Sequence, residues 1–296
     1  MPEGPEVKIM ANGLNSVLAG KVIKSFEIVS GPYADHQSPV FAKTRHLINK
    51  LQITMNAPNK AIIVRSVNTH GKFIYMMCEQ LERVRTETGY QTLVKSRFYI
   101  GSSLGLKGEW VSIPQGPLNA ENAVRFRIRW SDTPKGTPRA DQVVLYTDTM
   151  KQGKLNILTQ DELDKKLSTL GPDPWSGSFE QFKAKMATKK AQKMQVFEML
   201  MEQNLVAGVG NYLRAEILYN VKQDVDAFAL VSTLKESQLK TLWLQIVSLS
   251  KHVVKVGSAR YGARGYVPRI YKNTIAPDGS PIKTIVGKNK RIFYYT

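Results

Sequence analysis

The chain has 296 residues, a formal net charge of +18 and a single cysteine, Cys78. Its length predicts two domains, and so large a basic excess indicates a polyanionic partner, most often nucleic acid. One cysteine excludes an internal disulfide and a cysteine-rich zinc site, so we expect no structural metal and no cofactor. Without a signal peptide or an apolar run of ~18 residues, we expect an intracellular protein that is not secreted and binds no membrane.

The first six residues, Met1-Pro2-Glu3-Gly4-Pro5-Glu6, combine a possible nucleophile with two carboxylates. A proline in second position favours removal of the initiator methionine, which would leave Pro2 as a free secondary amine. Because an α-amino group titrates at roughly 7.7–8.0, a useful fraction is neutral at cellular pH, and its attack on an aldehyde carbon gives a cationic iminium. From spacing alone, however, an ordinary helix with an early proline and an acidic first turn is the more common explanation.

The first half of the chain predicts one helix followed by strands. Apolar residues recur at helical spacing from Val7 to Leu18, and Gly20 follows as a stop signal. In one predicted strand Arg125, Arg127 and Arg129 alternate with apolar residues, which fits a solvated outer face and a DNA contact equally well. Turn residues separate the predicted strands, which are Val22–Val29, Ala61–Val67, Phe73–Met77, Val124–Trp130 and Val143–Asp148.

The second half predicts mainly helices. The segment Leu170–Trp175, with two prolines and a glycine, is the clearest break and predicts domains over 1–170 and 171–296. Near the end, two extended segments, Val267–Thr274 and Lys283–Tyr295, flank the turn Ala276–Gly279 and predict a basic β-hairpin of a size to enter a DNA groove. The predicted helices are Phe179–Met186, Gln192–Gln203, Tyr212–Tyr219 and Thr233–Val256.

A glycine-rich turn, Gly208-Val209-Gly210-Asn211, opens the helix predicted from Tyr212. Asn211 is a good N-cap residue, and the glycines let backbone amides approach a ligand closely. The exposed N–H groups at a helix start form a natural phosphate site. Alone this signal is weak, since many such turns only connect helices.

These segments together resemble the formamidopyrimidine-DNA glycosylase and endonuclease VIII family of base-excision repair. The resemblance covers essentially the whole chain. Its most specific parts are the N-terminal hexapeptide and the stretch Gly208–Tyr219, and the turn Gly71-Lys72 and the loop Gly105–Gly108 fall in the same order. It implies an α+β fold: an N-terminal β-sandwich with flanking helices, then a helical domain with a helix–two-turn–helix motif and a β-hairpin finger. DNA would lie in a basic cleft between them.

The resemblance also implies roles for individual residues. Pro2 matches the family nucleophile, Glu3 the carboxylate of proton transfer at the sugar, and Glu6 a supporting carboxylate. Lys72 matches a lysine on the phosphate beside the lesion, and Asn211, next to Gly210, matches the phosphate-binding asparagine. The implied activity is that of a bifunctional DNA glycosylase and abasic-site lyase, acting through a proline Schiff base with β,δ-elimination.

The sequence departs from the family pattern at its finger. Members often end in a zinc finger held by four cysteines, which are missing here. The chain therefore resembles the zincless-finger, endonuclease-VIII-like branch, in which packing and turn geometry replace the metal. Arg291 then matches the finger arginine that grips phosphates flanking the lesion; the bland alternative is one more surface arginine in a basic tail.

Two further departures concern the substrate. Leu106 stands where the family has a void-filling methionine, and Met150 and Gln152 stand where an arginine and a phenylalanine are expected. We therefore expect loose discrimination of the opposite base, with double-stranded DNA as partner and single-stranded or bubble DNA left open. The short stretch Gly257–Tyr266 leaves little space for the loop that covers 8-oxoguanine, which favours oxidised pyrimidines and formamidopyrimidines as substrates.

The sequence leaves one rival function of another class. A catalytically silent nucleic-acid-binding protein would keep the helix–two-turn–helix and the basic finger without chemistry. The intact Pro2-Glu3 pair argues against it, as it argues against a basic structural protein of a ribosome or virion. We expect the protein to act as a monomer.

Overall fold

The computed structural model describes residues 2–30, 59–112, 124–139, 142–257, 265–287 and 290–296, with the single residues 34, 49 and 57. The chain forms two compact units. The first comprises Met10–Thr69 and Phe73–Lys165, and the second comprises Pro2–Ile9, His70–Lys72 and Lys166–Thr296. The predicted domain boundary after residue 170 stays a prediction. The second unit also takes in two short segments from the first half of the chain, Pro2–Ile9 and His70–Lys72. The predicted α+β class is confirmed.

The first unit is built on one antiparallel sheet of eight strands in the order β5-β7-β6-β1-β2-β3-β4-β8. Each of the five predicted strands is present, although β3 is almost three times longer than expected. The sheet is accompanied by helices α1 (Gly4–Leu18) and α2 (Gln160–Ser168). The strands are β1 (Val22–Ile28), β2 (Lys60–His70), β3 (Phe73–Thr86), β4 (Gly89–Ser103), β5 (Gly108–Ser112), β6 (Val124–Ser131), β7 (Val143–Asp148) and β8 (Lys154–Leu158).

The core of the first unit lies on the inner strands and on the second half of α1. All six residues of β7 are buried. On α1, Leu14 and Leu18 are buried, and Asn15 Oδ1 accepts a hydrogen bond from Val67 N at 2.8 Å. The helical spacing seen in the sequence therefore marks a face that packs on the sheet.

The basic face predicted for β6 is not a free surface. Arg125 is buried and its Nε donates to the Asp148 carbonyl at 2.9 Å. Arg127 and Arg129 pair with Glu27 of the neighbouring β1 at 3.0 and 3.7 Å. Arg125 is therefore not part of a basic surface, whereas Arg127 and Arg129 share one carboxylate and stay partly exposed, so the solvated-face and DNA-contact interpretations stay predictions for these two.

The second unit is helical with a terminal hairpin. The helix predicted over Gln192–Gln203 is wrong: the chain is extended at Gln195, which forms an isolated bridge to Leu230. A single apolar cluster holds the helices together, and Phe182, Leu213, Ile246 and Phe293 are among its buried members. The elements are α3 (Phe179–Met186), α4 (Lys189–Gln192), α5 (Val196–Met199), α6 (Asn211–Asn220), a 3-10 turn (Val231–Thr233), α7 (Glu236–Val256), β9 (Lys283–Val286) and β10 (Ile292–Tyr295).

The terminal hairpin exists, but its strands differ from the prediction. It pairs β9 with β10, and Gly287 N donates to the Arg291 carbonyl at 3.0 Å beyond the two strands, so the stretch predicted as one strand is the whole hairpin. The segment Val267–Thr274 is not a strand. No helix within the described ranges is long and apolar enough to cross a membrane.

Candidate active site

The N-terminal segment is held against the glycine-rich turn that precedes α6. Gly4 N donates to the Gly208 carbonyl at 2.8 Å, and a Cβ added at Gly4 would lie 3.0 Å from Gly208 Cα. Gly208 has φ +96°, a conformation that L side chains rarely adopt. The close approach of these two backbones fixes half-buried Pro2 and its neighbour Glu3 beside the start of α6.

Glu3 caps α6 from 209 positions away in the chain. Its Oε1 accepts from Tyr212 N at 3.0 Å and its Oε2 from Leu213 N at 3.1 Å. The N-cap residue is Gly210, which has no side chain to cap the helix, and a Cβ there would lie 2.3 Å from Glu3 Cδ. A carboxylate is well placed at the positive end of a helix dipole.

The predicted N-cap of this helix is therefore wrong. Asn211 is the first helical residue and not the N-cap. The amides of Tyr212 and Leu213, which a phosphate site would need, are bonded to Glu3. A phosphate contact of this turn stays a prediction, and it would not use these two amides.

Glu6 supports both Glu3 and α6. Its Oε2 accepts from Glu3 N at 2.9 Å, and its Oε1 accepts from the Tyr212 hydroxyl at 2.7 Å. Glu3 and Glu6 are both nearly fully buried. The two carboxylates are thus fixed in place by α6, which the sequence alone does not show.

Burial makes the two carboxylates hard to ionise. It raises the pKa of Glu3 from 4.5 to about 7, although the positive charge of Lys72 opposes this. Burial also raises the pKa of Glu6, and hydrogen bonding from Tyr212 opposes the rise. At neutral pH Glu3 therefore populates both protonation states, as an acid–base catalyst requires.

Lys72 lies in the turn between β2 and β3. Burial lowers the pKa of this half-buried lysine, the nearby Glu3 and Glu6 raise it, and Arg291 lowers it further. Pro2, Glu3, Glu6 and Lys72 all belong to the second unit. The structure therefore brings the predicted catalytic residues into one electrostatic cluster that includes Arg291 of the finger.

The segment Leu170–Trp175, which the sequence predicts as a linker, holds the Lys72 turn in place through Asp173. This residue is completely buried, and its Oδ2 accepts from Gly71 N at 3.0 Å. Its Oδ1 accepts from Ser176 N at 2.9 Å, which closes a turn within the linker. Gly71 has φ +56°, and a Cβ on it would lie 2.8 Å from Gly208 N. Sequence reasoning read the linker only as a break and missed Asp173.

A buried arginine joins Asn211 to the finger. Arg214 is fully buried; its Nη2 donates to the Ile292 carbonyl at 3.0 Å and to Asn211 Oδ1. Asn211 Nδ2 donates to the same Ile292 carbonyl at 2.9 Å. The exposed Arg291 directly precedes this carbonyl, so Arg214 fixes both predicted phosphate-binding residues. The family motif contained Arg214, but only its burial reveals this role.

A second buried residue of α6, Glu216, explains why Val267–Thr274 is not a strand. Its Oε1 accepts from the backbone N–H groups of Ile270 at 2.7 Å and of Arg269 and Tyr271 at 3.1 Å. Its Oε2 accepts from the Tyr266 hydroxyl at 2.9 Å. Amides that bend around a carboxylate cannot pair with a strand.

Aromatic packing holds the hairpin itself. Phe293 is buried and stacks on Phe197 with ring centroids 5.0 Å apart, and the Arg214 guanidinium lies 4.8 Å from its ring centre. Over the residues that the structure describes, no cluster of histidine, cysteine and acidic side chains could hold a metal ion.

Leu106 belongs to the first unit, where it is half-buried in the turn between β4 and β5. A Cβ added at the neighbouring Gly105 would lie 2.9 Å from Gln152. Asp148 folds that second turn by accepting from Met150 N at 3.0 Å and Gly153 N at 2.7 Å. The three positions compared with the void-filling residues thus occupy adjacent turns. The stretch Gly257–Tyr266, whose short length favoured oxidised pyrimidines as substrates, lies largely outside the described residues. The substrate preference drawn from it stays a prediction.

Comparison with solved structures identifies this fold as that of DNA glycosylases. The chain superposes on Lactococcus lactis formamidopyrimidine-DNA glycosylase, bound non-covalently to DNA with an abasic site, with a TM-score of 0.72 at 18% identity, covering 99% of this chain and 97% of that one. A complex of MutM with DNA containing carbocyclic 8-oxoguanine gives a TM-score of 0.72 at 19% identity, with the same coverage.

Sequence comparisons identify the family. The model of the formamidopyrimidine-DNA glycosylase N-terminal domain matches residues 1–160, and that of the H2TH domain of the same enzymes matches residues 170–263. The formamidopyrimidine-DNA glycosylase of Streptococcus mutans is 25% identical over 283 residues, covering 95% of this chain and 85% of that protein. The Streptococcus pneumoniae enzyme is 26% identical with the same coverage.

The chain therefore belongs to the formamidopyrimidine-DNA glycosylase family. It is a DNA glycosylase of base-excision repair with abasic-site lyase activity. The predicted family and fold are confirmed, and a catalytically silent binding protein is not supported.

Proposed function

We propose that the protein excises oxidised pyrimidines and formamidopyrimidines from double-stranded DNA, with Pro2 as nucleophile once Met1 has been removed. The observation that carries this proposal is the position of Glu3. Its buried carboxylate has a pKa of about 7, is held by the amides of α6 and directly follows Pro2 in the chain. An acid–base group is thus fixed next to the amine that would form the Schiff base.

The reaction begins with a nucleotide turned out of the duplex, because its C1′ cannot be reached inside the stack. The neutral amine of Pro2 attacks C1′, the bonds from C1′ to the base and to the ring oxygen O4′ both break, and Glu3 supplies a proton to the departing base or to O4′ as the sugar ring opens. Loss of the Pro2 N–H proton leaves an iminium ion that joins the proline nitrogen to C1′.

The iminium ion withdraws electrons and acidifies the proton on C2′. Removal of that proton breaks the C3′–O3′ bond by β-elimination, and a second elimination breaks the C5′–O5′ bond. Water then releases the sugar remnant from Pro2. Glu6 keeps Glu3 in position through the 2.9 Å bond to its backbone N–H.

The phosphate backbone is held by Lys72, Asn211 and Arg291. Arg291 is close enough to Lys72 to lower the pKa of that lysine, so the two side chains offer a concentrated positive charge to neighbouring phosphates. Such contacts position DNA without reading its sequence, and they make binding strongly salt-dependent.

Loose discrimination of the opposite base is supported by the side chains at Leu106, Met150 and Gln152, which occupy adjacent turns of the first unit. A leucine, a methionine and a glutamine supply no cation that could probe the opposite base, so discrimination between opposite bases should be weak. The same feature supports activity on single-stranded and bubble DNA. We expect a monomer.

A lesion panel in single-turnover form tests this proposal. Duplexes with thymine glycol, 5-hydroxyuracil, a formamidopyrimidine or 8-oxoguanine are incubated with excess enzyme. The proposal predicts excision of the first three and weak action on 8-oxoguanine. Glu3→Gln should abolish base excision while sparing action on a preformed abasic site. Full excision by Glu3→Gln would refute the role of Glu3, and preference for 8-oxoguanine would refute the substrate class.

A further inference from the structure

We propose that a groove of the first unit binds single-stranded DNA. None of the candidate catalytic residues Pro2, Glu3, Glu6 and Lys72 lines this groove. It is formed where the tip of the β3–β4 hairpin, the start of β2 and the loop after β6 meet, and its volume is about 970 Å³. We call it the Tyr90 groove. It is lined by Ala57, Asn59, Lys60, Ala61, Leu81, Arg83, Tyr90, Thr92, Thr133, Pro134 and Lys135.

The charge of the Tyr90 groove is positive and is not neutralised from within. Lys60, Arg83 and Lys135 line it, and no carboxylate does. Among the ion pairs of the described residues, none involves these three cations. This arrangement suits a ligand that carries several negative charges in a row.

Three other cations on or beside the hairpin have a carboxylate partner. Arg65 and Arg97 both bind Glu79, at 2.7 and 2.8 Å. Glu82, which touches the groove through Asn59 at 3.3 Å, pairs with Lys95 at 3.3 Å. Lys60, Arg83 and Lys135 differ from Arg65, Arg97 and Lys95 in this respect.

Tyr90 gives the groove a surface on which a flat ring can stack. The residue is 64% exposed although it is a large aromatic side chain. The Arg83 guanidinium lies 4.3 Å from its ring centre, which orients the ring by a cation–π contact. Bases stack on such aromatic side chains in proteins that bind single strands.

The three cations and the Tyr90 ring together favour single-stranded DNA as the ligand of the groove. A row of phosphates fits the three cations, and stacking on Tyr90 requires a base that is not already stacked within a duplex. An acidic peptide or a polyphosphate would satisfy the cations but would not use the ring. Unpaired DNA uses both features, since such sites join a positive groove with aromatic stacking platforms.

Photocrosslinking locates the contact. The full chain is irradiated with a lesion-free oligothymidine that contains 5-iodouracil, and tryptic peptides are identified by mass spectrometry. We expect a nucleotide adduct on the peptide Thr86–Lys95, which contains Tyr90. Adducts confined to peptides of the second unit, or none at all, would overturn the proposal, while Schiff-base chemistry at Pro2 would be unaffected by that outcome.

Affinity measurements test the contribution of each feature. With a fluorescent oligothymidine, Tyr90→Ala should weaken binding by about fivefold or more, whereas Tyr90→Phe should bind like the wild type, because stacking does not need the hydroxyl. Lys135→Glu should weaken binding and reduce the salt slope by at least ~0.7. Lys240→Glu, an equal charge change at an exposed position of α7, is the matched control.

Unchanged affinity for Tyr90→Ala, or equal losses for Lys135→Glu and Lys240→Glu, would refute the groove. Unlabelled polyphosphate and unlabelled oligothymidine are also compared as competitors of the fluorescent oligothymidine at matched charge. Equal competition would show that the groove binds any polyanion, and this too would overturn the proposal of a site for single-stranded DNA.

Discussion

Replacing Glu3 by glutamine should change the pH dependence of stability in a direction fixed by its burial. The folded state raises the pKa of Glu3 from 4.5 to about 7. Between these values the unfolded chain has released its proton and the folded chain still holds it, so stability is lost as pH rises. The whole effect corresponds to about 3 kcal/mol, because each pKa unit is worth ~1.4 kcal/mol.

The variant lacks this titration. Glutamine keeps one acceptor for the two amides of Tyr212 and Leu213, so losing the other bond should cost about 1 kcal/mol at every pH. This cost is the same at both pH values and cancels from the comparison, so relative to the wild type the variant should gain about 2.5 kcal/mol between pH 5 and pH 8.5.

Urea unfolding of both proteins at the two pH values measures this difference from the transition midpoints. Glu180→Gln is the control, since it removes an exposed carboxylate from the first turn of α3, and its effect should be small at both pH values. If the stability difference between Glu3→Gln and the wild type were the same at pH 5 and pH 8.5, Glu3 would not be the buried acid inferred here.

Three further substitutions test how the site is held. Gly210→Ala should lower stability by about 2 kcal/mol or more and reduce excision, because the new Cβ would lie 2.3 Å from Glu3 Cδ. The control is Gly13→Ala on α1, where a Cβ meets nothing within 4 Å, so calorimetry should find it neutral or stabilising. Equal effects of the two substitutions would contradict the contact between Gly210 and Glu3. Asp173→Ala should lower stability by about 2–4 kcal/mol, since it leaves buried amides at Gly71 and Ser176 without acceptors; exposed Asp161→Ala on α2 is its control, and a loss no larger than that control's would contradict the anchoring role. Arg214→Leu should weaken binding of abasic-analogue DNA by about tenfold, because Asn211 and the Ile292 carbonyl lose their common donor; wild-type affinity in a titration at fixed salt would remove Arg214 from the DNA-binding arrangement.

Local sequence patterns predicted most of the elements but not the way they meet. The apolar spacing of α1 and the apolar residues of β1, β6 and β7 were sufficient, since each of these elements contributes buried apolar side chains to the core. Strand β4 was missed because much of its outer half is polar and exposed; it is a strand because it pairs with β3 along its whole length. Such pairing is a tertiary effect that local composition does not encode.

In the candidate site, too, the sequence predicted individual residues but not the contacts between them. The motifs named Pro2, Glu3, Lys72 and Asn211, but the capping of α6 by Glu3 joins residues 209 positions apart, and no local rule predicts it. Because Gly210 has no side chain, the helix takes its cap from the N-terminus instead, so the expected Asn211 cap was wrong. The roles of Asp173, Arg214 and Glu216 depend on burial, which became visible only with the fold.

The central claim is that a covalent bond forms between Pro2 and the sugar. Borohydride trapping on abasic DNA, followed by peptide mapping of the adduct, tests it most directly, with a sample that retains Met1 as control. The account predicts an adduct on the Pro2 nitrogen of the processed protein and none at that nitrogen in the control. An adduct on Lys72, whose pKa is also lowered by burial, or no adduct with processed protein, would contradict it.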